Sequence, residues 1–112
     1  MARNDDDRLG HMLEAATKAT RLIQGLTLSD LKADELRSLA VTHLLEILGE
    51  AAKGVSDETR AMHPQLPWTQ MAATRDRLIH GYFSVDLDII WEILTHDLPP
   101  LIASLETALQ DT

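Results

Sequence analysis

The chain of 112 residues contains no cysteine. Disulfide frameworks, thiolate zinc sites and cysteine nucleophiles are therefore excluded. Aromatic residues make up only 4% of the chain, whereas leucine and alanine are abundant, and this mixture favours helices over strands. No apolar run approaches the roughly 18 residues of a membrane-spanning helix. The first seven residues are too acidic and polar for a signal peptide, so we expect a cytoplasmic protein without a membrane partner.

Positive charge is missing from the last third of the chain. All ten Lys and Arg residues lie at or before Arg77, whereas residues 78–112 hold six acids and neither Lys nor Arg. The net charge is −8, so most of the surface would repel a polyanion. This composition argues against a general DNA or RNA coat protein, and no DNA partner is expected. It is compatible with an enzyme that handles one phosphate at a time.

The sequence does have clear helical periodicity. Apolar residues at helical spacing, separated by Gly or Pro, predict an all-α antiparallel bundle of about five helices, in one domain over residues 1–112. Helix one is predicted to stop at Gly25, and helix two to be capped by Ser29 or Asp34. A short helix three runs from Ser56 to His63, and helix four from Pro67 to about His80. Helix five is capped by Asp86 and is kinked or split by Pro99-Pro100.

Several further expectations concern packing. The run at residues 82–85 is too short to seed a sheet. We expect Asp5, Asp6 and Asp7 to complement the positive end of the first helix. A bundle of this length leaves spare apolar positions, which predict a homodimer; Leu45, Leu48 and Ile93 are among them. The apolar face predicted for helix two consists of Leu36, Leu39, Ala40, Leu44, Ile47, Ala51 and Val55.

Chemically versatile side chains concentrate in residues 75–82, at the predicted end of helix four. Asp76 and His80 are four residues apart, so on a helix the carboxylate would orient the imidazole and favour its charged form. Arg75 and His80 are about 140° apart round a helix, but a long arginine and a terminal histidine can converge on one anion. Arginine offers a planar double donor for phosphate, and histidine moves protons near neutral pH. The segment predicts a metal-free phosphodiester site in which RNA supplies its own 2′-hydroxyl nucleophile.

The spacing alone leaves other interpretations open. Arg75 could be a solvated cation, and His80 a helix C-cap held by Asp76. Glu50 and Lys53 fit a solvated ion pair, with Glu50 as a ligand of Arg75 as the alternative. No metal or cofactor is expected, because the remaining histidines are too far apart in sequence for a metal-binding pattern; these are His11, His43, His63 and His96.

The segments Gly49–Lys53, Ile79–Phe83 and Asp97–Pro99 resemble the HepT family of ribonuclease toxins, which belongs to the HEPN superfamily. The family motif R-x-x-x-x-H-x-Y is matched by Arg75, His80 and Tyr82 without a gap. The superfamily favours a polar residue directly after the arginine, and Asp76 fits. The likeness covers almost the whole chain.

This resemblance implies an all-α homodimer whose two motifs face each other. It implies a metal-independent endoribonuclease toxin in which Arg75 and His80 are catalytic and Asp76 is supporting. The implied antitoxin is a nucleotidyltransferase of the MntA type, which can transfer AMP to Tyr82, the only tyrosine in the chain. Tyr82 could instead simply cap the bundle with its ring. The alternative function is a non-catalytic helical module that presents substrate or nucleotide to a nucleotidyltransferase, which the acidic surface favours.

Overall fold

Helices dominate the computed structural model, which describes residues 3–74, 79–80 and 84–110. The elements are, in chain order, α1 (Arg3–Leu22), α2 (Leu28–Ala33), α3 (Glu35–Lys53), α4 (Asp57–Met62), α5 (Trp68–Ala72), β1 (Ile79–His80), β2 (Ser84–Val85), α6 (Leu87–Glu92), a π-helical turn (Ile93–Asp97) and α7 (Leu98–Gln110). The all-α bundle predicted from the periodicity is confirmed.

Short polar side chains cap the N-termini of several of these helices. Asp34, Ser56 and Asp86 each accept a hydrogen bond from a backbone N–H in the first turn of α3, α4 and α6. Each bond satisfies a donor that the helix leaves without an internal partner. The predicted caps at Ser56 and Asp86 are confirmed, and Asp34 rather than Ser29 begins α3. Thr27 and Asp30 form a capping box that starts α2, a short helix that the periodicity does not predict.

Glycine and proline end or interrupt helices where the sequence predicts. Gly25, just after α1, has a positive φ of 78°, which a residue without Cβ adopts at little cost. Before Pro99 and Pro100 the helix widens into the π-helical turn, and the N–H of Leu98 bonds to the carbonyl of Ile93. The two prolines have no N–H to donate to the preceding turn. The predicted kink or split takes the form of this π-helical interruption, and the backbone stays helical without a gap from Leu87 to Gln110.

The core lies where α1, α3 and the C-terminal helices meet. Helix α1 packs against α3 and α7, α3 packs against α5, and α2 packs against α6. The largest side chains with almost no solvent exposure are Leu9, Met12, Leu31, Leu45, Leu48, Ile90, Leu94, Leu98 and Leu105. Two positions predicted to be spare for a dimer, Leu45 and Leu48, are therefore core residues, and Ile93 is buried as well. The prediction that these three positions are left uncovered for a dimer contact is wrong, because packing among α1, α3, α5 and the C-terminal helices covers them within one chain.

Helix α3 turns a different face inward from the predicted one. Its buried apolar residues are Val41, Leu45, Leu48 and Ala52, and of the predicted face only Val55, just beyond the helix, is buried. Leu36 is 81% exposed and Leu39 59% exposed. The helix carries apolar residues round most of its circumference, so spacing alone fits two faces. Contact with α1 and α5 selects the face that contains Val41.

The segment after α5 also departs from the prediction. The predicted helix four should reach His80, but α5 ends at Ala72 and the backbone of His80 is in β1. Strands β1 and β2 pair antiparallel, with Ile79 opposite Val85 and His80 opposite Ser84. The run at 82–85 thus contributes two residues to a minimal hairpin. Cross-strand hydrogen bonds replace the helical bonds that His80 would otherwise make.

Candidate active site

The N-terminus of the short helix α5, which precedes the motif, is anchored by contacts of Trp68. The indole Nε1 of Trp68 donates a hydrogen bond of 2.9 Å to the carbonyl of His63. The guanidinium of Arg60 lies 5.7 Å from the centre of the Trp68 ring, within cation–π range. Trp68 and His63 are both buried. These contacts fix where α5 starts relative to α4.

The end of α5 lies close against α3. A Cβ atom built on Gly49 would be only 3.1 Å from the carbonyl oxygen of Met71, so any side chain here would push α5 away by a few tenths of an ångström. Thr74 is buried and donates a hydrogen bond of 3.1 Å to the carbonyl of Gln70. The residue immediately before Arg75 is therefore fixed by packing on its side chain and by a bond to its own helix.

The other end of the motif is held by the hairpin and by α6. His80 pairs with Ser84 across β1 and β2. The carboxylate of Asp86 then accepts the N–H of Ile89 at 3.1 Å and begins α6. In the chain, the motif therefore lies between two packed helices, α5 before it and α6 after it.

The structure places the predicted catalytic residues only in part. Arg75, Asp76 and Tyr82 lie outside the described residues, and of His80 only the backbone is described. The prediction that Asp76 and His80 are neighbours on one continuous helix is wrong, because the backbone at His80 is extended. Helical spacing therefore cannot be what brings these two side chains together.

A half-open cavity of about 90 Å³ adjoins Thr74. Its walls come from α3, α5, the π-helical turn and α7, and they are formed by Leu48, Pro67, Gln70, Met71, Thr74, Ile93, Asp97, Leu98 and Leu101. The Nε2 of Gln70 donates to Oδ2 of Asp97 at 3.4 Å. The cavity is much smaller than the roughly 300–1,000 Å³ of most ligand pockets, so it is a small recess beside the motif. One signal in the sequence points to this region, since Asp97 belongs to a segment that carries the family resemblance.

The other sequence candidates have ordinary surroundings. Lys53 Nζ lies 3.7 Å from Glu50 Oε1, and both side chains are more than half exposed, so the solvated-pair interpretation of these residues is confirmed. Within residues 3–74, 79–80 and 84–110, no three His, Asp or Glu side chains cluster as metal ligands would. In the same residues no helix has the length and hydropathy needed to cross a membrane.

The chain is therefore a small helical domain in which the R-x-x-x-x-H-x-Y motif lies between α5 and α6. The family model described as Ribonuclease HepT-like matches residues 12–108. The chain belongs to this family and so to the HEPN superfamily.

Relatives of similar length support this membership. The chain is 35% identical to "Probable ribonuclease HepT" of Thermococcus cleftensis, over 95% of this chain and 96% of the relative. It is also 35% identical to a protein of Caldanaerobacter subterraneus subsp. tengcongensis that carries an RNase name, over 91% of both chains. A Methanocaldococcus jannaschii relative, likewise carrying an RNase name, is 36% identical over 77% of this chain and 71% of its own length. No solved structure matches the chain.

Proposed function

We propose that the protein is the toxin of a toxin–antitoxin pair and cleaves RNA without a metal ion. The observation that carries this proposal is the family match over residues 12–108, which includes the complete motif of Arg75, His80 and Tyr82. Packing of Gly49 against Met71 and pairing of His80 with Ser84 support it, because a cleavage site needs both ends of its catalytic segment held.

The proposed reaction is an internal transesterification. His80 accepts the proton of the 2′-hydroxyl, whose oxygen attacks the adjacent phosphorus. The bond from phosphorus to the 5′-oxygen breaks, and that oxygen takes a proton as it leaves, which gives a cyclic phosphate and a 5′-hydroxyl. Arg75 binds the scissile phosphate and stabilises the charge that develops on it. Asp76 orients His80 and has the smaller effect.

We further propose that the active form is a homodimer in which two motifs face each other. One His80 then removes a proton while its counterpart in the other copy supplies one to the leaving oxygen. An antitoxin of the MntA nucleotidyltransferase type would neutralise the enzyme by transferring AMP to Tyr82. The acceptor hydroxyl is two residues from His80, so the added phosphate would compete with RNA for Arg75.

Purified wild-type protein and its variants, assayed on a labelled RNA in EDTA, test the catalytic assignment. We expect the wild-type protein to cleave the RNA. His80→Ala and Arg75→Ala should each cleave it at least about a hundredfold more slowly, with unchanged helical circular dichroism. The matched controls are His96→Ala and Arg21→Ala, which change exposed residues outside the motif. If both motif variants cleave the RNA as fast as wild type, in preparations shown to lack contaminating RNase, the assignment is overturned.

A non-catalytic adaptor is the second candidate, and the net charge of −8 is the observation that favours it. Expression without an antitoxin separates the two functions. An active ribonuclease arrests growth and the His80→Ala variant does not, whereas an adaptor is harmless in both forms.

A further inference from the structure

A carboxylate lies in the wall of the small recess beside the motif. Asp97 is the last residue of the π-helical turn and is half-buried, and it lines the recess together with Thr74, the residue before Arg75. Single π-helical turns within longer helices are frequently found at functional sites. The wide turn therefore presents a carboxylate where α5 leads into the motif.

A hydrogen bond links this carboxylate to α5. Gln70 Nε2 donates to Asp97 Oδ2 at 3.4 Å, and the carbonyl of Gln70 accepts the hydroxyl of Thr74 at 3.1 Å. The bond to the amide is weak, because most N–H···O bonds in proteins are about 2.7–3.2 Å long. A carboxylate has about four acceptor sites, so Asp97 can bond Gln70 and hold a guanidinium as well.

The described cations next to α5 bond to other groups. Arg60 donates to two backbone carbonyls near the end of α3, at 3.1 and 3.0 Å, and Lys53 lies 3.7 Å from Glu50. The described residues that line the recess include no Lys, Arg or His. A half-buried carboxylate is stabilised by a cation, and the motif supplies one, since Arg75 follows Thr74 by a single Cα step of about 3.8 Å.

We propose that Asp97 is a positioning residue for RNA cleavage and that its carboxylate orients the guanidinium of Arg75 toward the scissile phosphate. This inference rests on the proposed ribonuclease function. A guanidinium presents its N–H donors in a planar fork, so one edge can bond the carboxylate while another bonds the phosphate. An arginine held in this way loses less rotational freedom when RNA binds.

Steady-state cleavage of a labelled RNA by Asp97→Asn tests this role. Asparagine keeps an oxygen that can accept the bond from Gln70, and it removes the charge. We expect kcat to fall about tenfold and KM to change less than about twofold, because orientation of the guanidinium matters most in the transition state. Asp97→Glu restores the charge and should recover part of the loss. A wild-type kcat in Asp97→Asn overturns the proposal.

Two control variants separate this role from other effects of the substitution. Glu106→Gln removes an exposed acid from α7. Loss of one negative charge by itself favours RNA binding to a chain of net charge −8, so kcat should not fall in this variant. Gln70→Ala removes the bond to the amide and keeps the carboxylate, and we expect it to lower kcat less than about threefold. If Gln70→Ala loses as much activity as Asp97→Asn, the carboxylate acts through α5 and the proposal is wrong.

A double-mutant cycle shows whether Asp97 acts through Arg75. Asp97→Asn should slow the residual cleavage by Arg75→Ala protein less than about twofold, because the guanidinium that it orients is already absent. The same substitution in Arg77→Ala protein should still slow cleavage about tenfold. Equal slowing in the two backgrounds, or coupling to Arg77 alone, contradicts the proposed pair.

Urea unfolding of the same variants gives a second cycle that needs no cleavage. If Asp97 and Arg75 are paired, the unfolding constant of the double variant should be at least about threefold smaller than the product of the two single changes predicts. Independent changes overturn the pair, even if the wild-type protein cleaves RNA. Coupling in a wild-type background that cleaves no RNA supports the pair and refutes the proposed ribonuclease function instead.

Discussion

Thr59 on α4 donates a hydrogen bond of 2.6 Å to the carboxylate of Asp5 on α1, across 54 residues of sequence. Both side chains are buried. Ser56 adds a second bond of 2.6 Å from its hydroxyl and a third of 3.1 Å from its backbone N–H. Asp5 therefore fastens the start of α1 to the start of α4, rather than only complementing the end of its own helix.

Replacing this carboxylate should destabilise the fold markedly. Asp5→Ala leaves three donors without their acceptor, and we expect the free energy of unfolding to fall by about 2–4 kcal/mol. Urea denaturation followed by circular dichroism measures this change. Asp7→Ala is the matched control, because Asp7 is an exposed acid of the same helix and should alter stability by less than about 0.5 kcal/mol. Equal losses in both variants would show that the carboxylate acts only through the helix dipole.

The contribution of Asp5 should also depend on pH. Hydrogen bonds from the side chains of Ser56 and Thr59 hold the pKa of Asp5 below its ordinary value because they favour the charged form. A lowered pKa in the folded state means that the added stability is complete above the unfolded-state pKa of about 3.9 and is lost as the pH falls through the folded-state value. The stability difference between wild type and Asp5→Ala should therefore be constant from about pH 6 to 8 and narrow below about pH 4. A difference that grows on acidification would contradict this.

The contrast between Asp5 and the caps shows what local sequence can predict. Ser56 and Asp86 are predictable because a cap bonds to its own helix, a few residues away. The bond from Thr59 to Asp5 depends on how α1 and α4 meet, and no local pattern specifies that meeting. The inward face of α3 is mispredicted for the same reason, since two apolar faces compete and the neighbouring helices decide.

The motif illustrates a related limit. Its residue types and order are evident from the sequence, and they suffice for the family. Helical spacing predicts that helix four continues to His80, yet strand pairing between His80 and Ser84 prevails there. Short segments rich in β-branched and aromatic residues can adopt either conformation, and their tertiary neighbours select one.

The close approach of Gly49 to Met71 provides a test of how the proposed catalytic segment, residues 75–82, is positioned. Gly49→Ala forces its methyl group against a backbone carbonyl, so α5 must shift by a few tenths of an ångström. We expect a cost of about 1–3 kcal/mol from this crowding and several-fold slower RNA cleavage by a folded protein. Unfolding curves and the RNA assay measure the two effects.

Gly10→Ala is the matched control for that substitution. Gly10 lies within α1, and a Cβ there would meet nothing within 4 Å. Alanine should stabilise the helix by about 0.5–1 kcal/mol and leave cleavage unchanged. Should Gly49→Ala behave like Gly10→Ala in both measurements, the contact with Met71 does not position the motif.

Tyr82 is the expected point of control. In the proposed modification the tyrosine oxygen attacks the α-phosphorus of ATP and pyrophosphate leaves, so a phosphodiester is attached two residues from His80. Its negative charge would bind Arg75 in place of RNA, and the nucleoside would obstruct the groove that we propose lies between the two facing motifs of the homodimer. Tyr82→Phe removes the acceptor oxygen and keeps the ring. We expect this variant to arrest growth when expressed alone and to escape a co-expressed nucleotidyltransferase.

Inhibition by simple binding of the antitoxin predicts the opposite result, because an antitoxin that covers the groove does not need the hydroxyl. Intact-mass measurement separates the two mechanisms, since the chain has one tyrosine and a nucleotide on wild type can be mapped to it. A nucleotidyltransferase with its catalytic acids replaced is the control: it should fail to neutralise wild type if transfer is the switch. If Tyr82→Phe is toxic alone but is neutralised as fully as wild type, and no nucleotide is found on wild-type Tyr82, the antitoxin acts by covering the site.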